Sequence, residues 1–183
     1  MKIGPMHAPF IAQKIAIDMQ RSKLIKMTQG LESVAHTAQV VVEADIHKEH
    51  ALEEAVNELL DENEEQIDYY LADEKQLFWM MKRKLAPKHG VILDHEERYS
   101  DLAHQIHMAL YDEDLINYDV AENKVKNIIF NAIDDYFKQR GSIEEAVSEK
   151  ISHYKRKLIP GSEEYEMVYS KLIEEELSSR GLK

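Results

Sequence analysis

The sequence predicts an all-α protein of about eight helices, arranged as two related helical units, with no significant sheet. Apolar residues recur every three or four positions through most of the chain, which is the period of an amphipathic helix. The β-branched run Val40–Val42 has no second alternating apolar segment to pair with, so it is also expected to be helical. Similar residues recur 91 positions apart, which indicates the two units.

The composition is that of a soluble globular protein. Of 183 residues, 44% are hydrophobic and 32% are charged, and the net charge of −12 works against broad binding to phosphate backbones or anionic membranes. The absence of cysteine excludes disulfides, Cys-based zinc sites, iron–sulfur clusters and thiol nucleophiles. No apolar run approaches the roughly 20 residues of a membrane span, and the start of the chain lacks the apolar core of a secretory signal. We therefore expect a cytoplasmic protein.

The first half of the chain, residues 1–90, is expected to form one helical unit after an irregular lead-in at residues 1–9. Its predicted helices run from Phe10 to before Gly30, and then over Leu31–Ile46, Leu52–Ile67 and Tyr69–Leu85. Pro87 and Gly90 follow the last of these helices, where such residues commonly end a helix.

The second half, residues 91–183, is expected to form the other unit, packed with the first as one globular body. A connector is expected at Val91–Glu97, and the predicted helices are Tyr99–Leu110, Val120–Phe137, Ile143–Leu158 and a last one from about Ser162 to Ser178. The acidic run Asp112–Asp114 indicates a turn or helix end. Gly141 is expected to stop a helix, and Ser142 with Glu145 has the spacing of a capping box that starts the next one.

An internal duplication is indicated by the comparison of residues 11–67 with residues 102–158. At the fixed offset of 91, 10 of these 57 pairs are identical and no gap is needed. Glu53–Val56 and Glu144–Val147 form the longest identical run. Amphipathic helices resemble one another by chance, so the constant register over three predicted helices is the stronger argument.

The nine histidines raise the question of a metal site. His104 and His107 are three residues apart on a predicted helix, as are His47 and His50. Di-metal carboxylate bundles use Glu-x-x-His pairs, and neither histidine pair has a glutamate three residues before it. The histidines and acidic residues do not complete the ligand set of a known type of metal site, so the sequence assigns no catalytic residue, metal ligand or cofactor. A metal-dependent enzyme is kept as a third alternative.

A first candidate interaction surface lies in the run Leu77–Met81. Leu77, Phe78 and Met81 share one helical face, whereas Trp79 and Met80 lie off it. A helix that is apolar nearly all round is covered either by its own fold or by a partner, and Trp and Met are both frequent at binding surfaces. Phe78, Trp79 and Met80 are therefore candidates for contact with a protein partner or with a second copy of the chain.

A second candidate surface is the basic flank of the predicted helix Ile143–Leu158. Its residues are Lys150, His153, Lys155, Arg156 and Lys157. Basic residues in a last helical turn are also what the helix dipole favours, so helix-end chemistry is an alternative explanation. The flank supports a runner-up function, weak binding of nucleic acid.

The sequence resembles the bacterial family catalogued as domain of unknown function 507. The most specific segments are Lys155–Tyr165, which reads KRKLIPGSEEY, and the Glu174–Leu177 ending, EEEL. The first half, with LEEAVNELLDENEEQI and QLFWMMKRKLAP, resembles the longer two-unit members, so the likeness covers nearly the whole chain. The resemblance implies a soluble bacterial helical protein, and it carries no activity, cofactor or catalytic residue to transfer.

These observations together favour a non-enzymatic protein-interaction or regulatory module. No closed catalytic constellation and no Gly-rich phosphate loop occurs in the sequence, which has only six glycines. The identity of the partner is left open by the sequence.

Overall fold

The structure is a computed structural model that describes residues 3–63, 73–154 and 163–179. The chain is mostly helical, which confirms the predicted fold class at that level. The elements in chain order are α1 (Ala8–Ser22), β1 (Ile25–Met27), α2 (Leu31–Asp61), α3 (Glu74–Leu85), α4 (His95–Asp112), β2 (Ile116–Tyr118), α5 (Glu122–Ser152) and α6 (Glu163–Ser179). Short 3₁₀ helices lie at Pro5–His7 and Ala86–His89.

Helix α2 corrects the predicted helix count. The sequence predicts separate helices at Leu31–Ile46 and Leu52–Ile67, but the structure has one helix of 31 residues that continues through the polar stretch between them. That stretch reads HKEHA and contains neither glycine nor proline, so nothing in it opposes a helix. The part of the second predicted helix beyond Asn63, and the start of the predicted helix at Tyr69, lie outside the described residues.

Helix α5 gives the second correction. The predicted break at Gly141 and Ser142 does not occur, because α5 is continuous from Glu122 to Ser152, and Ser142 therefore starts no helix. One glycine costs a helix only about 1 kcal/mol. Phe137 and Ile143 are buried on either side of it, so burial outweighs that cost. With both mergers, the described residues contain six α-helices in place of about eight.

The two strands are an element that the sequence analysis missed. They form an antiparallel pair in which Ile25 faces Tyr118, Lys26 faces Asn117 and Met27 faces Ile116. The amide of Thr28 also donates to the carbonyl of Leu115, at 3.0 Å. Three residues are too few to produce a recognisable alternation, so the pattern could not reveal the strands. Each strand follows a residue with positive φ, Lys23 or Asp114, which turns the chain out of the preceding helix.

The chain divides into two compact bodies, Met1–Ile133 and Asp134–Lys183. In the first, buried apolar side chains of α1, α2, α4 and α5 form the main core. A second cluster of that body contains Leu52, Val56, Leu60, Ala86 and Val91. The second body has its own cluster, Ile143, Val147 and Leu172. The helical units predicted at 1–90 and 91–183 are defined by the repeat in the sequence and not by these compact bodies. They stay a prediction.

The continuity of α5 leads to a test at Gly141. A methyl group at this position would meet no neighbouring atom within 4 Å, so Gly141→Ala should raise the free energy of unfolding by about 0.5–1 kcal/mol in chemical denaturation. Gly30 is the matched control, because its φ of +88° is unfavourable for alanine. Gly30→Ala should therefore lower the free energy of unfolding. A loss of stability in Gly141→Ala would contradict the continuous helix and would support the break that the sequence predicts at Gly141.

Candidate interaction site on helix α3

Helix α3 has one face fixed to the core of the first body. Its N-cap is Asp73, whose Oδ1 accepts hydrogen bonds from the amides of Lys75 at 2.9 Å and Gln76 at 3.2 Å. The inward residues Leu77, Phe78, Met81 and Leu85 pack against the cluster of Leu52, Val56 and Leu60 on α2. This packing gives α3 a defined orientation about its own axis.

The opposite face of α3 exposes two large apolar side chains. Trp79 is 53% exposed and Met80 is 57% exposed. They lie in a shallow depression on the outer face of the helix, which we call the α3 surface. The residues lining it are Lys75, Gln76, Trp79, Met80, Arg83 and Lys84. The α3 surface therefore combines an apolar centre with basic ends.

Beneath this surface, Lys82 is buried in a cluster of charges. Its side chain is 4% exposed, and its Nζ lies 2.8 Å from Oε1 of Glu49 and 2.8 Å from Oε1 of Glu53. Both carboxylates belong to α2, so the ammonium group ties α3 to that helix. A buried ammonium is stable only when it is paired and hydrogen-bonded, as Lys82 is here.

The same cluster extends to α4 through Arg98. Its Nη2 lies 2.6 Å from Oδ2 of Asp45, and its Nη1 lies 2.8 Å from Oε2 of Glu49. The Nε of Arg98 also donates to Oδ2 of Asp45, at 2.8 Å. Glu49 therefore accepts from Lys82 with one oxygen and from Arg98 with the other. We call the group Asp45, Glu49, Glu53, Lys82 and Arg98 the buried charge network.

The network shifts the pKa values of Glu49, Lys82 and Arg98 toward the charged forms. Burial alone would raise the pKa of Glu49, but the hydrogen bond from Lys82 and the charge of Arg98 outweigh burial and hold that pKa below its usual range. Burial would likewise lower the pKa of Lys82, whereas the hydrogen bonds to Glu49 and Glu53 keep it raised. Glu49 and Lys82 are therefore both held in their charged forms at neutral pH.

Trp79 links the buried charge network to the exposed surface. The Nζ of Lys82 lies 5.4 Å from the centroid of the Trp79 ring, within the range of a cation–π contact. The ring of Phe78 meets Trp79 edge to face, with centroids 6.0 Å apart. The indole thus has fixed neighbours inside the protein, although half of it is exposed.

The other predicted surface residues lie in different surroundings. Lys150 is exposed on α5, and its Nζ lies 2.6 Å from Oε1 of Glu176 on α6. His153 is exposed just past the end of α5, and its Nδ1 lies 2.8 Å from the carbonyl oxygen of Glu149. Lys155, Arg156 and Lys157 lie outside the described residues. Among the predicted residues, the structure therefore brings together Phe78, Trp79 and Met80, with Phe78 turned toward the core.

The sequence analysis assigned no role to any of the five residues of the buried charge network. Asp45 and Glu49 are only 6% and 5% exposed, which is unusual for carboxylates. A signal was present in the sequence. Asp45 and Glu49 lie at three- and four-residue steps between Val42 and Leu52, on the apolar stripe of α2 that faces inward.

His107 is a second buried polar residue. The ring nitrogen Nε2 lies 2.7 Å from the Tyr118 hydroxyl on β2. In the described part of the chain its Nδ1 has no hydrogen-bond partner, and the nearest carboxylate oxygen, on Glu122, is 3.9 Å away. Burial lowers the pKa of His107, an effect to which Lys126 and His104 add and which the charge of Glu122 opposes. His47 and His50 are exposed on α2.

Two other kinds of feature are absent from residues 3–63, 73–154 and 163–179. No three histidine or acidic side chains lie close enough together there to hold a metal ion. None of the helices in these ranges is both long and apolar enough to cross a bilayer.

The fold and the α3 surface thus define a mostly helical protein that exposes an aromatic side chain held in place by a buried charge network. The chain belongs to the family described as Protein of unknown function (DUF507), whose match covers residues 1–182. This confirms the resemblance seen in the sequence. A search of curated proteins finds no match.

The buried charge network leads to a stability prediction at Lys82. Lys82→Met should lower the free energy of unfolding by about 3–5 kcal/mol, because it leaves Glu49 and Glu53 without their shared cation. The matched control is Lys84→Met, two residues along the same helix and exposed, which should change it by less than about 0.5 kcal/mol. Urea denaturation measures both. Equal effects of the two substitutions would mean that the network does not stabilise the fold.

His107 leads to a prediction about pH. Because its folded-state pKa is lowered, the unfolded chain takes up a proton more readily once the pH falls below about 6.5, the usual histidine value. Folding stability should therefore fall as the pH is lowered from 7 to 5, and less steeply in His107→Gln. Denaturation at several pH values measures the slope. An unchanged slope in His107→Gln would contradict the prediction.

Proposed function

We propose that the protein is a non-enzymatic interaction module of the cytoplasm that binds a protein partner through the α3 surface. The observation that carries this proposal is the pair of neighbouring large apolar side chains, Trp79 and Met80, more than half exposed on a helix whose other face is packed. Trp and Met are among the residues enriched at protein interfaces, and Trp is prominent among those that dominate binding energy.

The rigidity of α3 supports the proposal. Binding costs free energy for every side chain and segment that must become ordered. Here the N-cap at Asp73, the packed face of α3 and the buried charge network already hold the helix in place. Lys82 also restrains the Trp79 ring. A partner would therefore meet a surface whose main anchor is largely ordered in advance.

We further propose that the chain consists of two related helical units, which share an ancestor. Equal spacing of the elements supports this: α2 and α5 are both 31 residues long and begin at residues 31 and 122, which is 91 positions apart. The strands begin at 25 and 116, again 91 apart, and the positive-φ residues Lys23 and Asp114 have the same separation. The same offset that aligns the sequences thus relates the turns as well.

Burial repeats in the same register. The buried residues of α1 are Ala8, Ile11, Ala12, Ile15, Ala16 and Met19, and those of α4 include Tyr99, Leu102, Ala103, Ile106, His107 and Leu110. Taken in order, each of the six α1 residues lies 91 positions before the corresponding α4 residue. Ile25 pairs with Tyr118, while Met27 pairs with Ile116, so exchanging equivalent residues leaves the strand pairing unchanged. That is the pattern of a two-fold contact between like units.

The buried charge network does not repeat, which supports a separate role for α3. The positions 91 residues after Asp45, Glu49 and Lys82 are occupied by Tyr136, Arg140 and Ile173. The interaction surface is therefore assigned to the first half of the chain. Nucleic-acid binding through the basic flank of α5 is the alternative, and the pairing of Lys150 with Glu176 reduces what the described part of that flank offers to a phosphate.

The proposal is tested by capture from the native cytoplasm with the full chain as bait. Met80→Ser should lose the captured protein, because it removes an exposed apolar contact without touching the buried charge network. Phe10→Ser, at a side chain 61% exposed on α1, is the matched control and should retain it. Trp79 is the only tryptophan in the chain, so its fluorescence should shift to shorter wavelength when the purified partner binds. A protein captured equally by wild type and Met80→Ser, with no fluorescence change, would rule out the α3 surface.

A further inference from the structure

We infer that the partner of the α3 surface is an acidic amphipathic helix, with two neighbouring apolar residues flanked on both sides by carboxylates. This inference rests on the proposed function and specifies the chemistry of the partner. It follows from the distribution of charge along α3.

The α3 surface is basic in an acidic protein. Three of its six lining residues are cations and none is acidic, although the chain has 35 acidic and 23 basic residues. Within the described ranges, Lys75, Arg83 and Lys84 form no ion pair with the protein's own carboxylates, in contrast to Lys82 directly beneath them. Their charges therefore face outward, where they favour an acidic partner.

The spacing of the cations defines the partner further. Lys75 precedes the apolar pair by four residues, and Arg83 follows it by three. Arg83 lies eight positions after Lys75, a distance of about 12 Å along a helix. Trp79 and Met80 lie midway between them. A partner helix that crosses the α3 surface nearly parallel or antiparallel meets this pattern with Glu-x-x-Leu-Phe-x-x-Glu, whose acidic residues are about 10 Å apart.

A nucleic acid fits the α3 surface less well. Proteins that bind single strands use several aromatic side chains on which successive bases stack, whereas the α3 surface exposes one aromatic ring, with Phe78 turned toward the core. The net charge of −12 also opposes the approach of a phosphate backbone. A helix with only a few carboxylates needs much less positive potential for binding than a phosphate backbone does. The three cations of the α3 surface are enough to pair with its carboxylates.

The test uses the full-length protein and a fluorescein-labelled peptide of about 16 residues, long enough to form a helix, with a central Glu-x-x-Leu-Phe-x-x-Glu. Fluorescence anisotropy should show binding that weakens as salt is added. A second peptide with Lys in place of both Glu should bind at least about tenfold more weakly, because like charges then face Lys75 and Arg83. A third, with Ser-Ser in place of Leu-Phe, should also lose affinity.

Matched protein variants locate the site. The double substitution Arg83→Glu with Lys84→Glu should weaken the binding of the acidic peptide by at least about tenfold. The double substitution Lys48→Glu with Lys124→Glu makes the same charge change at exposed positions on α2 and α5, and it should weaken peptide binding much less. Circular dichroism checks that both variants are folded. Met80→Ser should reduce binding without altering its salt dependence.

Each other outcome overturns the inference. If the acidic and lysine peptides bind equally, or neither binds, the partner is not an acidic helix. In that case Met80-dependent capture from the cytoplasm would still uphold the proposed function, so the two failures are distinguishable. Binding of a thymidine oligonucleotide that is lost in the Arg83→Glu, Lys84→Glu variant would identify a nucleic acid in place of a protein. A dimer that Met80→Ser dissociates, seen by sedimentation, would identify a second copy of the chain.

Discussion

The pairing of Glu49 with both Lys82 and Arg98 is the interaction on which the first body depends. One carboxylate of α2 receives a cation from α3 and another from α4, so three helices meet at a single side chain. Burying such charges costs several kcal/mol per ion, and their mutual attraction offsets that cost only when the geometry is good. The attraction is available only in the register that brings Lys82 to Glu49 and Glu53 and Arg98 to Asp45, so it favours that register of α3 and α4 on α2.

That register determines what the outside of α3 presents. Lys82 points inward beneath the indole, and with Phe78 it determines where Trp79 stands. The face carrying Met80, Arg83 and Lys84 is then the one left to solvent. Under the proposed function, stability and recognition share this helix but use different residues on it. Substitutions on the outer face are then expected to change what the protein binds while the fold is retained.

The sequence predicted where helices occur much better than where they end. The spacing of apolar residues indicates that a segment has one apolar helical face. Helices α1, α3, α4 and α6 lie where this spacing predicts them. It does not report whether a polar interval such as His47–Ala51 interrupts a helix, because that depends on packing at both ends. Gly141 is similar, since one unfavourable residue is outweighed by its buried neighbours. For the candidate site, Trp79 and Met80 were singled out in the sequence because they lie off the apolar stripe, and both side chains are exposed. Asp45 and Glu49 were missed because a carboxylate is assumed to face water, and only the position of Lys82 and Arg98 in three dimensions makes its burial possible.

The small sheet has a consequence for the order of folding. Its two strands join residues 25 and 118, which are 93 positions apart, through only three pairs. Closing a flexible loop of that length costs about 4 kcal/mol in chain entropy, more than so few pairs return. Contacts between neighbouring helices, such as α1 with α2, are closer in sequence, so we expect them to form first. They would shorten the effective loop, and we expect the strands to meet as a late event that locks partly built helices together.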